Sequence, residues 1–125
     1  MSLEFIDHLV FVVKDIAETE RFYSVFLGTP KYLEKEHVIY TIGETMLFFV
    51  LPKGTWEPGN KDKGGFNHIA FGVRTIDELQ ACEQQLIAGG INNSGVKIDP
   101  HGGKEYIWLD DPNGLRLEFY LRQAG

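Results

Sequence analysis

Gly65-Phe66-Asn67-His68-Ile69-Ala70-Phe71-Gly72-Val73 restates, sixty positions on, the run Phe5-Ile6-Asp7-His8-Leu9-Val10-Phe11-Val12-Val13. His8 matches His68, Leu9 matches Ile69, Phe11 matches Phe71 and Val13 matches Val73. The match continues through Lys14 with Arg74 and Ile16 with Ile76. Self-similarity at a fixed spacing signals one structural unit used twice. Alternation in the first copy puts Ile6, His8, Val10 and Val12 on one strand face and Asp7, Leu9, Phe11 and Val13 on the other. In both copies the face opposite the histidine is large and apolar, so it is expected to carry a helix. In the second copy Ala70 and Gly72 follow His68 on its own face. Side chains that small leave room for something other than protein.

Working outward, each strand runs into a helix start. Asp15 with Glu18, and Thr75 with Glu78, have the spacing of a capping box. Ile16, Phe22, Tyr23 and Phe26 form the apolar stripe of the first helix, which Gly28 closes. Ile76, Leu79, Leu86 and Ile87 form that of the second, closed by Gly89-Gly90. Three strands follow the first helix, a weak one at 31–34, a better one at 37–42 and a strong one at 46–51. After the second helix a loop rich in Asn, Gly and Pro is expected over 91–103. A hairpin of 106–109 with 115–121 then turns on Asp111-Pro112-Asn113-Gly114, which has turn chemistry. Module one thus spans about 4–52 and module two about 66–122. A connector rich in Pro and Gly lies between them at about 53–65, and its Trp56 is a candidate lid contact.

One hundred and twenty-five residues with 43% hydrophobic content give one globular domain with a real core. The net charge of −6, without a basic stripe, argues against a nucleic-acid partner. The apolar runs are too short to span a bilayer, and no charged-then-apolar leader opens the chain. A lone Cys82 forms no internal disulfide and suits a reducing cytoplasm. A cytoplasmic protein with a small-molecule ligand is the expectation.

The last strand supplies the third chemical group. Leu115, Leu117, Phe119 and Leu121 share one face, and Arg116, Glu118 and Tyr120 the other. A carboxylate inside a sheet is costly unless it is exposed, paired or metal-bound. The plain alternative for Glu118 is an edge-strand residue paired with Arg116 or Arg122. Two histidines and one carboxylate from separate strands match the 2-His-1-carboxylate arrangement, which keeps coordination positions open and suits Fe(II) or a related ion. Aligning Leu47-Phe48-Phe49 with Leu117-Glu118-Phe119 puts Phe48 where a fourth ligand would stand. Three protein ligands are therefore expected: His8, His68 and Glu118.

The combined pattern of Asp7-His8-Leu9, Asn67-His68-Ile69-Ala70-Phe71 and Asp111-Pro112-Asn113-Gly114-Leu115-Arg116-Leu117-Glu118 resembles the vicinal-oxygen-chelate superfamily. That superfamily includes glyoxalase I, bleomycin-resistance proteins, fosfomycin-resistance enzymes, methylmalonyl-CoA epimerase and extradiol dioxygenases. The resemblance implies an α+β fold of two tandem βαβββ modules. Their sheets would form an open, cup-shaped mixed barrel with the helices outside. It also implies one divalent metal, Fe(II) or Mn(II) by preference and Zn(II) or Ni(II) as compatible alternatives, and a homodimer. Phe48 departs from the four-ligand glyoxalase I and epimerase.

The resemblance to the three-ligand extradiol dioxygenases implies an acid–base histidine, for which His101 is the candidate. Trp108 stands where those enzymes often carry a tyrosine. The resemblance to the fosfomycin enzymes implies a glutamate base near Glu36 in one hydrolytic branch, although Val10 replaces a threonine common in them. Met46, Phe48, Trp108 and Tyr120 would wall the substrate pocket. A bleomycin-resistance protein would sequester its ligand without chemistry, and such proteins generally lack the metal triad.

Overall fold

A computed structural model describes residues 1–124. The chain divides into two compact units, Met1–Glu57 and Pro58–Gly125. In the first unit the elements are β1 (His8–Val12), α1 (Ile16–Leu27), β2 (Tyr32–Leu33), β3 (His37–Ile42) and β4 (Thr45–Val50). The second has β5 (His68–Val73), α2 (Ile76–Ala88), β6 (Lys97–Ile98), β7 (Glu105–Asp110) and β8 (Arg116–Leu121). Both follow the plan βαβββ. Each builds its own open four-stranded sheet, ordered β1-β4-β3-β2 and β5-β8-β7-β6.

The order follows from the connections. A helix after the first strand forces a crossover, so the strand that returns beside it runs parallel, whereas tight turns make the remaining pairs antiparallel. Accordingly β1 pairs with β4 in parallel, His8 opposite Met46 and Val12 opposite Val50. In the same way β5 pairs with β8, His68 opposite Arg116 and Ala70 opposite Glu118.

The helix side of each sheet is the core. In the first unit Val13, Tyr23, Val38, Tyr40, Leu47 and Phe49 are buried. The Phe49 ring lies 4.3 Å from Tyr23 and 5.3 Å from Phe11, centroid to centroid. The buried Tyr40 keeps its hydroxyl satisfied through Ser24 Oγ at 2.8 Å and the Glu20 carbonyl at 3.3 Å. In the second unit Leu79, Leu86, Ile107, Leu109, Leu117, Phe119 and Leu121 fill the same role.

The second helix start behaves as expected, whereas the first makes only half of its capping box, with the Glu18 carboxylate turned to Lys14 at 3.5 Å. Asp15 accepts from the Glu18 amide, and Thr75 with Glu78 completes a reciprocal capping box. Two expectations need correction. Ile76 and Ile87 are 39% and 58% exposed. Leu79 and Leu86, two turns apart, already fill the narrow stripe a helix lays on a sheet, and Ile87 is rotated about 100° from Leu86. The loop expected over 91–103 contains β6, where Lys97 pairs with Tyr106 and Ile98 with Glu105. A two-residue strand is too short to show a period.

The turn between β7 and β8 is tied from within. Asp111 Oδ1 accepts from the amides of Asn113 and Leu115, each at 2.8 Å. Gly114 sits at φ +85°, and a Cβ there would come within 2.9 Å of the Gly59 carbonyl. The Gly59 amide in turn donates to the Asn113 carbonyl at 3.0 Å. Only glycine fits this close crossing of two backbones. No helix among the described residues is long and apolar enough to cross a membrane.

Candidate metal centre

On the sheet face away from α2, strand register sets His68, Ala70 and Gly72 of β5 beside Arg116, Glu118 and Tyr120 of β8. Trp108 and Tyr106 of β7 continue the same face. β8 lies inside its sheet, not at an edge as the plain alternative for Glu118 required. Nor does Glu118 pair with Arg116. The Arg116 guanidinium stacks over Trp108 at 4.2 Å and donates to Asp110 Oδ1 at 2.7 Å. The partner of Glu118 is His68, with Nε2 to Oε1 at 3.6 Å and the carboxylate side chain only 18% exposed.

That separation exceeds a hydrogen bond. It is close to what one ion shared by both atoms produces, because ligand distances of about 2.0–2.2 Å at tetrahedral or octahedral angles set donors roughly 3.0–3.5 Å apart. The histidine is also held in the matching tautomer. Asn67 Nδ2 donates to the Lys61 carbonyl at 2.7 Å, which turns Oδ1 toward His68 Nδ1, also at 2.7 Å. An amide oxygen only accepts, so Nδ1 donates to it and Nε2 is the ring nitrogen left facing Glu118.

The first unit repeats the device. His8 Nδ1 lies 2.8 Å from Asp7 Oδ2, and its Nε2 is left for another partner. Met46 stands opposite His8 across β1 and β4, and the Phe48 ring meets the imidazole edge-on at 5.5 Å. Among the described residues no three His, Cys, Asp or Glu side chains are gathered into a metal-sized group; His68 and Glu118 are a pair. Asp7 and Asn67 were visible in the repeat, standing one before each histidine, but their part in orienting the rings needs the contacts.

The remaining candidates lie as follows. His101 is exposed in the loop between β6 and β7, where its amide donates to Asp99 Oδ1 at 2.9 Å. Glu36 is exposed in the turn joining β2 and β3, and its carbonyl accepts from the Leu51 amide at 3.2 Å. Trp56 belongs to the first unit, with its indole N–H donating to the Val12 carbonyl at 3.2 Å. Cys82 is a poor nucleophile, because burial pushes its thiol up, with Glu78 adding to the effect.

The loop carrying His101 is latched to this face. Tyr120 Oη donates to Asp99 Oδ2 at 2.8 Å, and a side chain on Gly102 would collide with that hydroxyl. The His101 amide and then the Tyr120 hydroxyl hold Asp99 below the usual carboxylate range. The Asp99 hydrogen bond raises Tyr120. A depressed carboxylate stabilises the fold above its unfolded pKa of about 3.9 and loses that contribution as pH falls through the folded value. A raised tyrosine contributes below about pH 10 and loses it as pH rises through its folded value. The latch should stay shut between these limits. Asp99→Asn is expected to return the Tyr120 titration toward its ordinary value and to speed amide exchange at His101 and Gly103. Ultraviolet titration and hydrogen exchange would check this, and unchanged values in both would refute the latch.

The chain belongs to the Glyoxalase/Bleomycin resistance protein/Dioxygenase superfamily, whose family model matches residues 5–119. Among its relatives, the Escherichia coli (strain K12) protein YaeR is 26% identical, covering 96% of this chain and 98% of its own length. The metallothiol transferase FosB of Bacillus licheniformis is 28% identical over 92% of this chain and 73% of the transferase. A crystal structure from Bacillus halodurans superposes with a TM-score of 0.80 at 19% identity, covering 94% of this chain and 95% of that one. The last of these speaks for the fold alone.

Proposed function

We propose that this protein is a divalent-metal-dependent enzyme whose small substrate chelates the ion through two neighbouring oxygens. His68, Glu118 and His8 are the proposed ligands, with Fe(II) or Mn(II) preferred. The reading is carried by the 3.6 Å pair of His68 Nε2 and Glu118 Oε1, with Nδ1 already committed to Asn67. When bound, the ion supplies a Lewis acid and a template for the substrate. Asp7 and Asn67 orient the imidazoles, and Ala70 and Gly72 leave the floor open. Met46, Phe48, Trp108 and Tyr120 are the proposed walls of the substrate pocket.

The FosB relatives are named metallothiol transferases, which supports metal-assisted addition of a nucleophile to a small electrophile. Glu36 is the proposed base if that nucleophile is water. Extradiol-type ring cleavage at Fe(II) is the second reading. It is favoured by the attachment of the His101 loop to Tyr120, two residues from Glu118 on the same face. His101 would then serve as acid and base. A homodimer is the proposed assembly, and the cytoplasm, where Cys82 stays reduced, the proposed location.

Elemental analysis of anaerobically purified protein tests the reading. Near-stoichiometric metal, lost in His68→Ala, is the expected result. Manganese would direct assays to thiol and epoxide chemistry, and iron to catechols. No metal after reconstitution would overturn the proposal in favour of a ligand-sequestering protein of the bleomycin-resistance type.

A further inference from the structure

Beyond Glu118, the same face of the second unit opens into a cavity of about 260 Å³ lined by Ala70, Gly72, Val73, Arg74, Tyr120 and Arg122. Gly72 is not needed by the backbone, since its φ is not positive and an added Cβ would meet nothing within 4 Å. Glycine inside a strand costs stability, and it often marks the close approach of a ligand. Two cations stand at the end of this space. Arg74 Nη1 donates to the Arg122 carbonyl at 3.1 Å, which fixes one guanidinium beside the next residue of the other strand. Neither guanidinium is paired with a carboxylate among the described residues. What sets Arg74 and Arg122 apart from the other cations is that both line one cavity and are held together through the Arg122 carbonyl. The acids of this face are already engaged, Glu118 with His68 and Asp99 with Tyr120 and the His101 amide.

We propose that the Arg74–Arg122 end of this cavity is an anion subsite that holds the carboxylate of a small organic acid. The planar guanidinium fork matches a carboxylate, and Ala70 and Gly72 leave space for an organic body. Arg122 follows Glu118 by four strand positions, roughly 13 Å at about 3.3 Å per residue. A substrate would thus place its charged end on the arginines and its chelating oxygens near His68 and Glu118. This last point rests on the proposed metal centre; the subsite itself does not.

The test is an amide-resonance titration of metal-free protein with benzoate, at constant ionic strength, beside a parallel titration with inorganic phosphate. Saturable shifts at Gly72, Val73 and Arg122 are expected. Arg122→Gln and Arg74→Gln should each weaken binding about tenfold, the size of one charge-assisted hydrogen bond. Both side chains are exposed, so the variants should fold. Shifts that do not saturate, or affinities unchanged in both variants, would overturn the subsite. Phosphate saturating where benzoate does not would overturn the organic-acid assignment. Because no metal is present, loss of the metal-centre reading leaves this result standing, and the reverse holds as well.

Discussion

Glu118→Gln is expected to remove high-affinity divalent metal binding while the fold stays intact. The substitution keeps the size of the side chain and deletes only its charge and its anionic donor. The hydrogen bonds of β8 come from the backbone and do not need the carboxylate. Moreover, a carboxylate side chain 18% exposed inside a sheet carries a desolvation cost that glutamine relieves. Thermal unfolding should therefore be unchanged or slightly higher. Metal affinity should fall by more than about 100-fold, since losing an orienting residue alone costs about 10–100-fold. Asn67→Ala marks that lower range, for it frees the His68 ring without removing a ligand. Calorimetric titration of metal-stripped protein with Mn(II) separates the two. Equal affinity in wild type and Glu118→Gln would eliminate Glu118 as a ligand.

Phe49→Ala should be the most destabilising single change in the first unit. Phe49 is fully buried and packs against the rings of Phe11, Tyr23 and Tyr40. Truncating such a residue costs about 3–5 kcal/mol through lost transfer energy and the cavity left behind. That is a large part of the roughly 5–15 kcal/mol that holds a domain of this size together. The urea midpoint should fall sharply, with little change in slope. Phe48→Ala is the control, because its neighbour on the opposite face is only half-buried and should cost much less. If the two variants unfolded alike, the assignment of faces in β4 would be wrong.

The features legible in the sequence are those written by strand period and by the repeat. Leu9, Phe11 and Val13 against His8, Val10 and Val12 gave the two faces of β1. The matched histidines gave the place of the second set. Glu118 was readable because one acid breaks the apolar rhythm of β8. What stayed hidden depends on contacts between distant positions. Lys97 and Ile98 form a strand only because β7 offers them partners. Asp99 meets Tyr120 through the path of a loop, and no spacing predicts it. The assignment of Arg116 to Asp110 and Trp108, and not to Glu118, is likewise decided by register across the β7–β8 pair. Ile76 and Ile87 show the opposite failure: their period was helical, but a helix can be more apolar than the stripe it buries.

The parallel pairing of β5 with β8 has a consequence for how the protein matures. His68 lies on the first strand of its unit and Glu118 on the last, with α2, β6 and β7 between them. Contacts so far apart in sequence close late, after the local turns and the helix have formed. A nascent chain that has not yet released β8 carries the histidine, its Asn67 tether and the helix, but not the paired carboxylate. The two donors come together only when the last strand slides in beside the first. Metal capture by this pair would then report that synthesis and closure of the unit are complete, and a chain truncated before Arg116 would be silent in the same assay.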